Sequence, residues 1–255
     1  MLRLDINEAL CSLYKSNSQR IRVATEKFVA NIFFCPSCGN ELSEFENNRP
    51  VADFHCTKCL EQFELKSKQN NLGQKIVDGA YSSMIERICS HDNPNFFFLS
   101  YSTTTHQVTN FFVTPKYYFT PEIIEKRKPL AETAKRAGWV GCNILINSLP
   151  ESGKIHFIQN GKVENKSVVL ERWAKTNFLN SNTLTDKSWL LDIMKIIDKI
   201  NKKIFYLHDV YHFEGYLKQA HPQNNNIQAK IRQQLQLLRD KGYLKFVSRG
   251  CYQLL

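Results

Sequence analysis

Two C-x-x-C pairs, Cys35-Pro-Ser-Cys38 and Cys56-Thr-Lys-Cys59, constrain this 255-residue chain more than any other feature. Two such pairs in an otherwise reduced-looking chain match the ligand pattern of a closed tetrahedral zinc site, in which four thiolates hold the ion and the ion fixes a small fold. The other cysteines, Cys11, Cys89, Cys142 and Cys251, are scattered. They are expected to pack as small apolar groups and not to form disulfides.

The second pair lies between two segments rich in apolar and aromatic residues, Val51 to Cys56 and Glu61 to Lys66. They predict a β-hairpin whose tip, centred near Lys58, is gripped by the metal. In that register Asp53 falls opposite Glu64 or nearly so, within about 5 Å. Glu64 and Lys66 then emerge on one face of the strand, with Leu65 pointing into the opposite layer. Two carboxylates beside an ammonium suit metal-dependent phosphodiester hydrolysis. Asp53 and Glu64, with the Leu65 carbonyl, would hold a magnesium ion, and Lys66 would offset charge at the phosphorus. The competing reading is a zinc hairpin on which these three groups are ordinary solvated side chains, because short motifs recur by chance.

The chain carries 34 basic and 24 acidic residues, a formal charge of +10, and is 42% hydrophobic. That is enough apolar content for real cores, and the charge points to a polyanionic partner, nucleic acid before membrane. No apolar run approaches the roughly 18 residues that a membrane span needs, and MLRLDINEAL lacks the apolar centre of a secretory signal. The expected location is the cytoplasm.

Residues 5–34 read as one or two helices, with Ile21, Phe28 and Ile32 as a buried stripe and Arg20, Arg22 and Lys27 facing solvent. Lys75 to Ser90 reads as a further helix with Ile76, Tyr81, Met84 and Ile88 inside. Ser67 and Lys68, between strand and helix, are placed to touch DNA near a scissile phosphate. Asn95 to Tyr101 and Val108 to Val113 read as strands, with Phe96-Phe97-Phe98 buried. A short helix from Pro121 is expected to end in Lys126-Arg-Lys128. Lys135 and Arg136 stand beside Gly138 and Trp139 in a loop; Trp139 reads either as a core residue or as a surface against which a base packs. Ile155 to Ile158 followed by Asn160-Gly161 predicts a hairpin turn, and Val168 to Lys175 a helix. The turn-rich stretch 178–184 divides a first domain, 1–180, from a second, 181–255.

The second domain has its own pattern. A helix through Trp189, Ile193, Ile196, Ile197 and Ile200, a second over His208 to Lys218, a third over Asn226 to Lys241, and two strands about Ser248-Arg-Gly250 give the order of a winged helix. On the third helix Ile227, Ile231, Leu235 and Leu238 share one side. Gln228, Ala229, Arg232, Gln233 and Gln236 share the reverse, where Arg suits guanine, Gln suits adenine and Ala a thymine methyl. Lys230 and the wing residue Arg249 add to a basic surface for phosphates, which makes binding salt-sensitive.

Beyond these local signals, several stretches resemble the DpnI-like methyl-directed restriction endonucleases. They include Phe45 to Asp53, Phe63 to Lys68, Asp78-Gly-Ala-Tyr81, Asn93 to Leu99, Arg127 to Ala131, Arg136-Ala-Gly-Trp139 and Ile231 to Gly242. The resemblance implies an α+β chain: a PD-(D/E)xK nuclease domain, with a mixed sheet flanked by helices and an embedded four-cysteine zinc site, followed by a winged helix. It implies a bacterial enzyme that cleaves double-stranded DNA at GATC carrying 6-methyladenine. Asp53, Glu64 and Lys66 would be catalytic, Cys35, Cys38, Cys56 and Cys59 zinc ligands, and Trp139 a sensor of the methyl group, with Trp189 a second candidate for that wall. A monomer is expected. The alternative is a DNA-binding regulator without catalysis, built from the same zinc hairpin and winged helix.

Overall fold

The computed structural model describes residues 1–5, 13–14, 16–45, 52–90, 93–181 and 184–255. Cys11, the stretch from Glu46 to Val51 and the start of the expected N-terminal helices lie outside them. The chain forms two compact units, Met1–Asn147 with Ser152–Thr176, and Ser148–Glu151 with Asn177–Leu255.

The first unit is built on a seven-stranded mixed sheet. Its strands are β1 (Leu42–Glu44), β2 (Phe54–Cys56), β3 (Gln62–Gln69), β5 (Asn95–Tyr101), β6 (Val108–Thr114), β9 (Ile155–Gln159) and β10 (Lys162–Val163), neighbours in that order. Every pairing is antiparallel except β3 with β5. A parallel pair needs a crossover, and here it comprises β4 (Lys75–Ala80) and α2 (Tyr81–Cys89). β4 joins a second, three-stranded sheet with β8 (Gly141–Leu145) and β7 (Ile124–Lys126), in the order β4-β8-β7.

The aromatic run behaves as its composition dictates. Phe96, Phe97 and Phe98 are fully buried, and the Phe97 ring sits 4.7 Å from that of Phe63 and 5.2 Å from that of Phe111. Each such ring contributes roughly 1.5–3 kcal/mol by leaving water. Helix α1 (Asn17–Ile32) lays Ala24, Thr25, Phe28 and Val29 on the core. Ile32 does not complete the stripe and is about half exposed, because the helix stops there and Phe33 turns in instead, its ring 4.7 Å from Phe111. Arg22 and Lys27 are exposed and Arg20 is half-buried.

Two helix expectations in this unit need correction. Lys75 to Ala80 is strand β4, since Ile76 and Val77 are β-branched, Gly79 weakens a helix, and the segment finds a partner in β8; only Tyr81 onward is helical. After Pro121 a single 3₁₀ turn, Pro121–Ile123, gives way to strand β7 paired with β8. The hairpin at Asn160-Gly161 forms with both residues at positive φ, 51° and 76°. Helix α3 covers Lys166–Ala174. Of the scattered cysteines, Cys142 and Cys251 are buried as expected, whereas Cys89, in the last turn of α2, is exposed.

In the second unit α4 (Leu184–Ile200), α5 (Leu207–Tyr211), α6 (Glu214–Ala220) and α7 (Ile227–Asp240) precede the strands β12 (Leu244–Ser248) and β13 (Cys251–Leu254). The expected second helix is thus two short ones, separated at His212 and Phe213. A further strand, β11 (Ile204–Tyr206), pairs with β13 to give the sheet order β11-β13-β12. Ile227, Ile231, Leu235 and Leu238 of α7 are buried, as their spacing requires. Gly242 ends that helix at φ 73°.

Candidate active site and metal centre

The four cysteines converge. Cys35 Sγ lies 3.5 Å from Cys59 Sγ, Cys38 Sγ lies 3.4 Å from Cys56 Sγ, and all four sulfurs fall within 4.8 Å of one another. A tetrahedral ion with bonds near 2.3 Å spaces its sulfurs at about 3.8 Å, so the set fits a single four-coordinate ion and is too open for disulfides. The two loops are alike. Gly39 N–H donates to Cys35 C=O and Leu60 N–H to Cys56 C=O, and the residue after each second cysteine is left-handed, Gly39 at φ 75° and Leu60 at φ 63°. Burial raises the Cys56 thiol, but the backbone N–H groups of Cys59 and Lys58 outweigh it and bring the value down to about 7. That is the direction a metal-binding thiolate needs. Burial pushes Cys35 the other way.

Strands β2 and β3 rise from this clamp. Phe54 pairs with Phe63 and His55 with Gln62, which centres the turn between Lys58 and Cys59. Asp53 is then adjacent to β3: its N–H donates to the Phe63 carbonyl at 2.9 Å, and its Oδ2 accepts the Leu65 N–H at 2.6 Å. Leu65 itself packs against the core. Asp53, Glu64 and Lys66 line one cleft of about 290 Å³ together with Arg22 and Glu26 of α1.

The polar groups here form two neighbouring clusters, one around Lys66 and one around Asp53. Lys66 Nζ donates to Glu64 Oε1 at 2.6 Å and to Asp78 Oδ1 at 2.5 Å. Arg87 Nη1 donates to Glu64 Oε2 at 2.7 Å, and the Gly79 N–H to Asp78 Oδ1 at 2.7 Å. Arg22 Nη2 stands 3.8 Å from Asp53 Oδ1 while its Nε is held by Glu26 Oε1 at 2.6 Å. Burial pushes the carboxyls of Glu64 and Asp53 above the usual carboxylate range, against the pull of Lys66 on Glu64 and of the Leu65 N–H on Asp53. Burial pulls the Lys66 ammonium down, but Glu64 and Asp78 outweigh it and hold it above the ordinary lysine value. Lys66 therefore keeps its charge through neutral pH, and added protons go to the carboxylates first. Oxygen donors from Asp53, Glu64 and the Leu65 carbonyl are the chemistry a hard divalent cation prefers.

Sequence reasoning singles out neither Asp78 nor Arg87 as a site residue. Both come from the crossover, Asp78 from β4 and Arg87 from α2, and no spacing relative to Glu64 betrays them.

Ser67 is exposed at the rim of the cleft and Lys68 is exposed just beyond it, where Lys68 Nζ donates to the carbonyls of Leu72 at 2.9 Å and Lys75 at 3.4 Å. Lys135, Arg136 and Trp139 lie on the loop between β7 and β8 and do not line the cleft. Trp139 is half-buried, its ring lies against Gly141, and the Arg136 guanidinium sits 4.7 Å from the ring centre. The loop rejoins β8 at Gly141, which pairs with Ala80, two residues from Asp78.

In the second unit Gln228, Ala229, Arg232, Gln233 and Gln236 are exposed together on α7, and Arg249 is exposed in the wing turn. Gln228 Nε2 donates to Glu214 Oε2 at 2.8 Å and Arg232 Nη1 to the Tyr211 hydroxyl at 2.7 Å. Lys230 is set back from them, half-buried, with its ammonium 5.9 Å from the Trp189 ring. Trp189 is no exposed wall: it is buried and stacks on His221 at 3.8 Å, held inward by the apolar face of α4. Among the described residues no helix is long and apolar enough to cross a membrane.

A family model described as the Dam-replacing family, DpnI, matches residues 2–182, and a second, described as the Dam-replacing HTH domain, matches residues 185–254.

Proposed function

The chain belongs to the Dam-replacing family of DpnI-like restriction nucleases, and from that premise we propose that it hydrolyses double-stranded DNA at GATC sites carrying 6-methyladenine, through a PD-(D/E)xK centre made by Asp53, Glu64 and Lys66. The observation that carries this reading is the Lys66 ammonium, 2.6 Å from Glu64 and sharing one cleft with Asp53.

Asp53, Glu64 and the Leu65 carbonyl would hold magnesium, which when bound supplies an activated water and neutralises phosphate charge. Asp53 is oriented for this by the Leu65 N–H, and Glu64 by Arg87. Lys66, kept cationic by Glu64 and Asp78, stabilises negative charge building on the phosphate oxygens. Zinc on Cys35, Cys38, Cys56 and Cys59 is structural, fixing the hairpin that sets Asp53 against β3. Trp139, with Lys135 and Arg136 on the same loop, meets the methylated base. Ser67 and Lys68 hold the backbone beside the scissile phosphate. In the second unit Gln228, Ala229, Arg232 and Gln233 read base edges in the major groove while Lys230 and Arg249 meet phosphates. The enzyme acts as a monomer in the bacterial cytoplasm.

Digestion of fully methylated and unmethylated plasmid, with magnesium and then with EDTA, tests the reading. Cutting of the methylated plasmid alone, and with metal alone, is expected. Lys66→Ala should abolish cutting and leave DNA affinity within about threefold, since the lysine acts on the transition state and not on binding. DNA binding without nicks under every condition would return the chain to the class of non-catalytic regulators.

A further inference from the structure

Next to the catalytic cleft lies a larger one of about 860 Å³, and Ser67 belongs to the walls of both. One wall is the end of β3 and the turn after it, with Lys68 and Asn70; the other is the first turns of α1, with Arg20, and the loop that carries His106. Among the described residues no carboxylate lines it. Lys68 Nζ donates to two backbone carbonyls and Arg20 Nε to the Tyr14 carbonyl at 2.6 Å, bonds that hold the two side chains at the cleft wall. The catalytic cleft differs in kind, because its carboxylates and cations pair with one another. A second, larger space lined by cations and, among the described residues, by no carboxylate suits a chain of phosphates continuing past the one being cut. It opens where β3 leaves the catalytic residues.

We propose that this cleft is the track of the cleaved strand: it takes the one or two nucleotides next to the scissile phosphate, with Arg20 and Lys68 on the adjoining phosphates and Asn70 and His106 lining their sugars and bases. The assignment rests on the catalytic reading given above. Lys68 lies two residues beyond Lys66 on the same strand, about 6.6 Å along its backbone, so the cleft follows the catalytic residues in the direction in which β3 runs.

The test uses the full-length Lys66→Ala protein, which keeps DNA intact, and methylated GATC duplexes carrying a photoreactive iodopyrimidine at single positions. With the label within two nucleotides of the scissile bond on the cut strand, cross-links should map to the segments 67–70 or 101–106; labels further out should not reach them. In parallel, Arg20→Ala with Lys68→Ala, in the same background, should lower the slope of log affinity against log salt by about 1.8, at roughly 0.9 for each phosphate no longer neutralised. Cross-links confined to other parts of the protein, or a slope unchanged in the double variant, would overturn the proposal and leave the cleft to a small anion. The two readings fail separately: a wild-type chain that never cuts plasmid refutes the nuclease, whereas cutting without cross-links in these segments refutes only the track.

Discussion

Lys66 and Arg87 hold opposite oxygens of a single carboxylate, at 2.6 Å from Glu64 Oε1 and 2.7 Å from Glu64 Oε2. The lysine comes from the same strand as the acid and the arginine from the crossover helix, so Glu64 is fixed from two independent directions. A carboxylate with both oxygens engaged loses rotational freedom and is partly neutralised, and each effect bears on its affinity for a cation.

Removing Arg87 should therefore strengthen ion binding while loosening the fold. Arg87→Met is expected to tighten magnesium binding severalfold in calorimetric titration and to lower stability by about 1–3 kcal/mol, because a partly buried carboxylate loses one of its two charged donors. Weaker magnesium binding in this variant would show that orientation of Glu64 outweighs its neutralisation.

Asp78 is expected to matter through Lys66. Asp78→Asn keeps the shape but removes the charge that holds the ammonium, and if Lys66 acts as proposed turnover should fall about 10–100-fold, the range seen when a supporting partner of a site residue is lost. DNA affinity should stay within about twofold, and Asp78→Glu should restore part of the rate. Equal losses in turnover and affinity would place Asp78 in DNA binding instead.

The raised carboxyls of Asp53 and Glu64 predict an acid-side effect with an unusual sign. A carboxyl whose folded value lies above its unfolded value binds more protons in the native state across that window, so its contribution to stability falls as pH rises through it. Comparing metal-free wild type with Asp53→Asn by urea unfolding, the difference should move in favour of the wild type as the pH falls from neutral toward the ordinary carboxylate range. Magnesium affinity should move the opposite way and weaken with acid. A stability difference independent of pH would mean that Asp53 titrates as an ordinary surface carboxylate.

The thiolate clamp predicts one firmly held zinc per chain by elemental analysis. Cys56→Ser, which removes the ligand whose thiol is brought down to about 7, should abolish zinc retention and lower the melting temperature of the first unit. Activity should disappear with it, since Asp53 is placed only through the hairpin. A variant that loses zinc yet keeps its melting temperature would make the metal dispensable for folding.

Much of this geometry is legible in the residues. The paired cysteines announce their own clamp, and period-two alternation sets Glu64 and Lys66 on one face. The hairpin register follows from the apolar segments on either side of Cys56 to Cys59. The buried face of α7 can be read off Ile227, Ile231, Leu235 and Leu238. The crossover's contribution cannot be read in this way. Lys75 to Ser90 carries apolar residues at helical spacing, and only pairing with β8, a partner more than 60 residues away, turns its first part into a strand. A helical reading of that segment hides Asp78 and Arg87. Trp189 misleads for a related reason: aromatic identity says nothing of whether a ring meets solvent or, as here, a histidine stacked inside the fold.

The parallel pairing of β3 with β5 gives the segment 70–94 a second role besides closing the topology. Adding or deleting residues there would shift Asp78 and Arg87, the partners of Lys66 and Glu64, at once, so its length is as constrained as any side chain in the cleft. The two-residue turn at Asn160-Gly161, at the far edge of the same sheet, bears no such burden and is the place to splice a tag or fluorophore into an active enzyme.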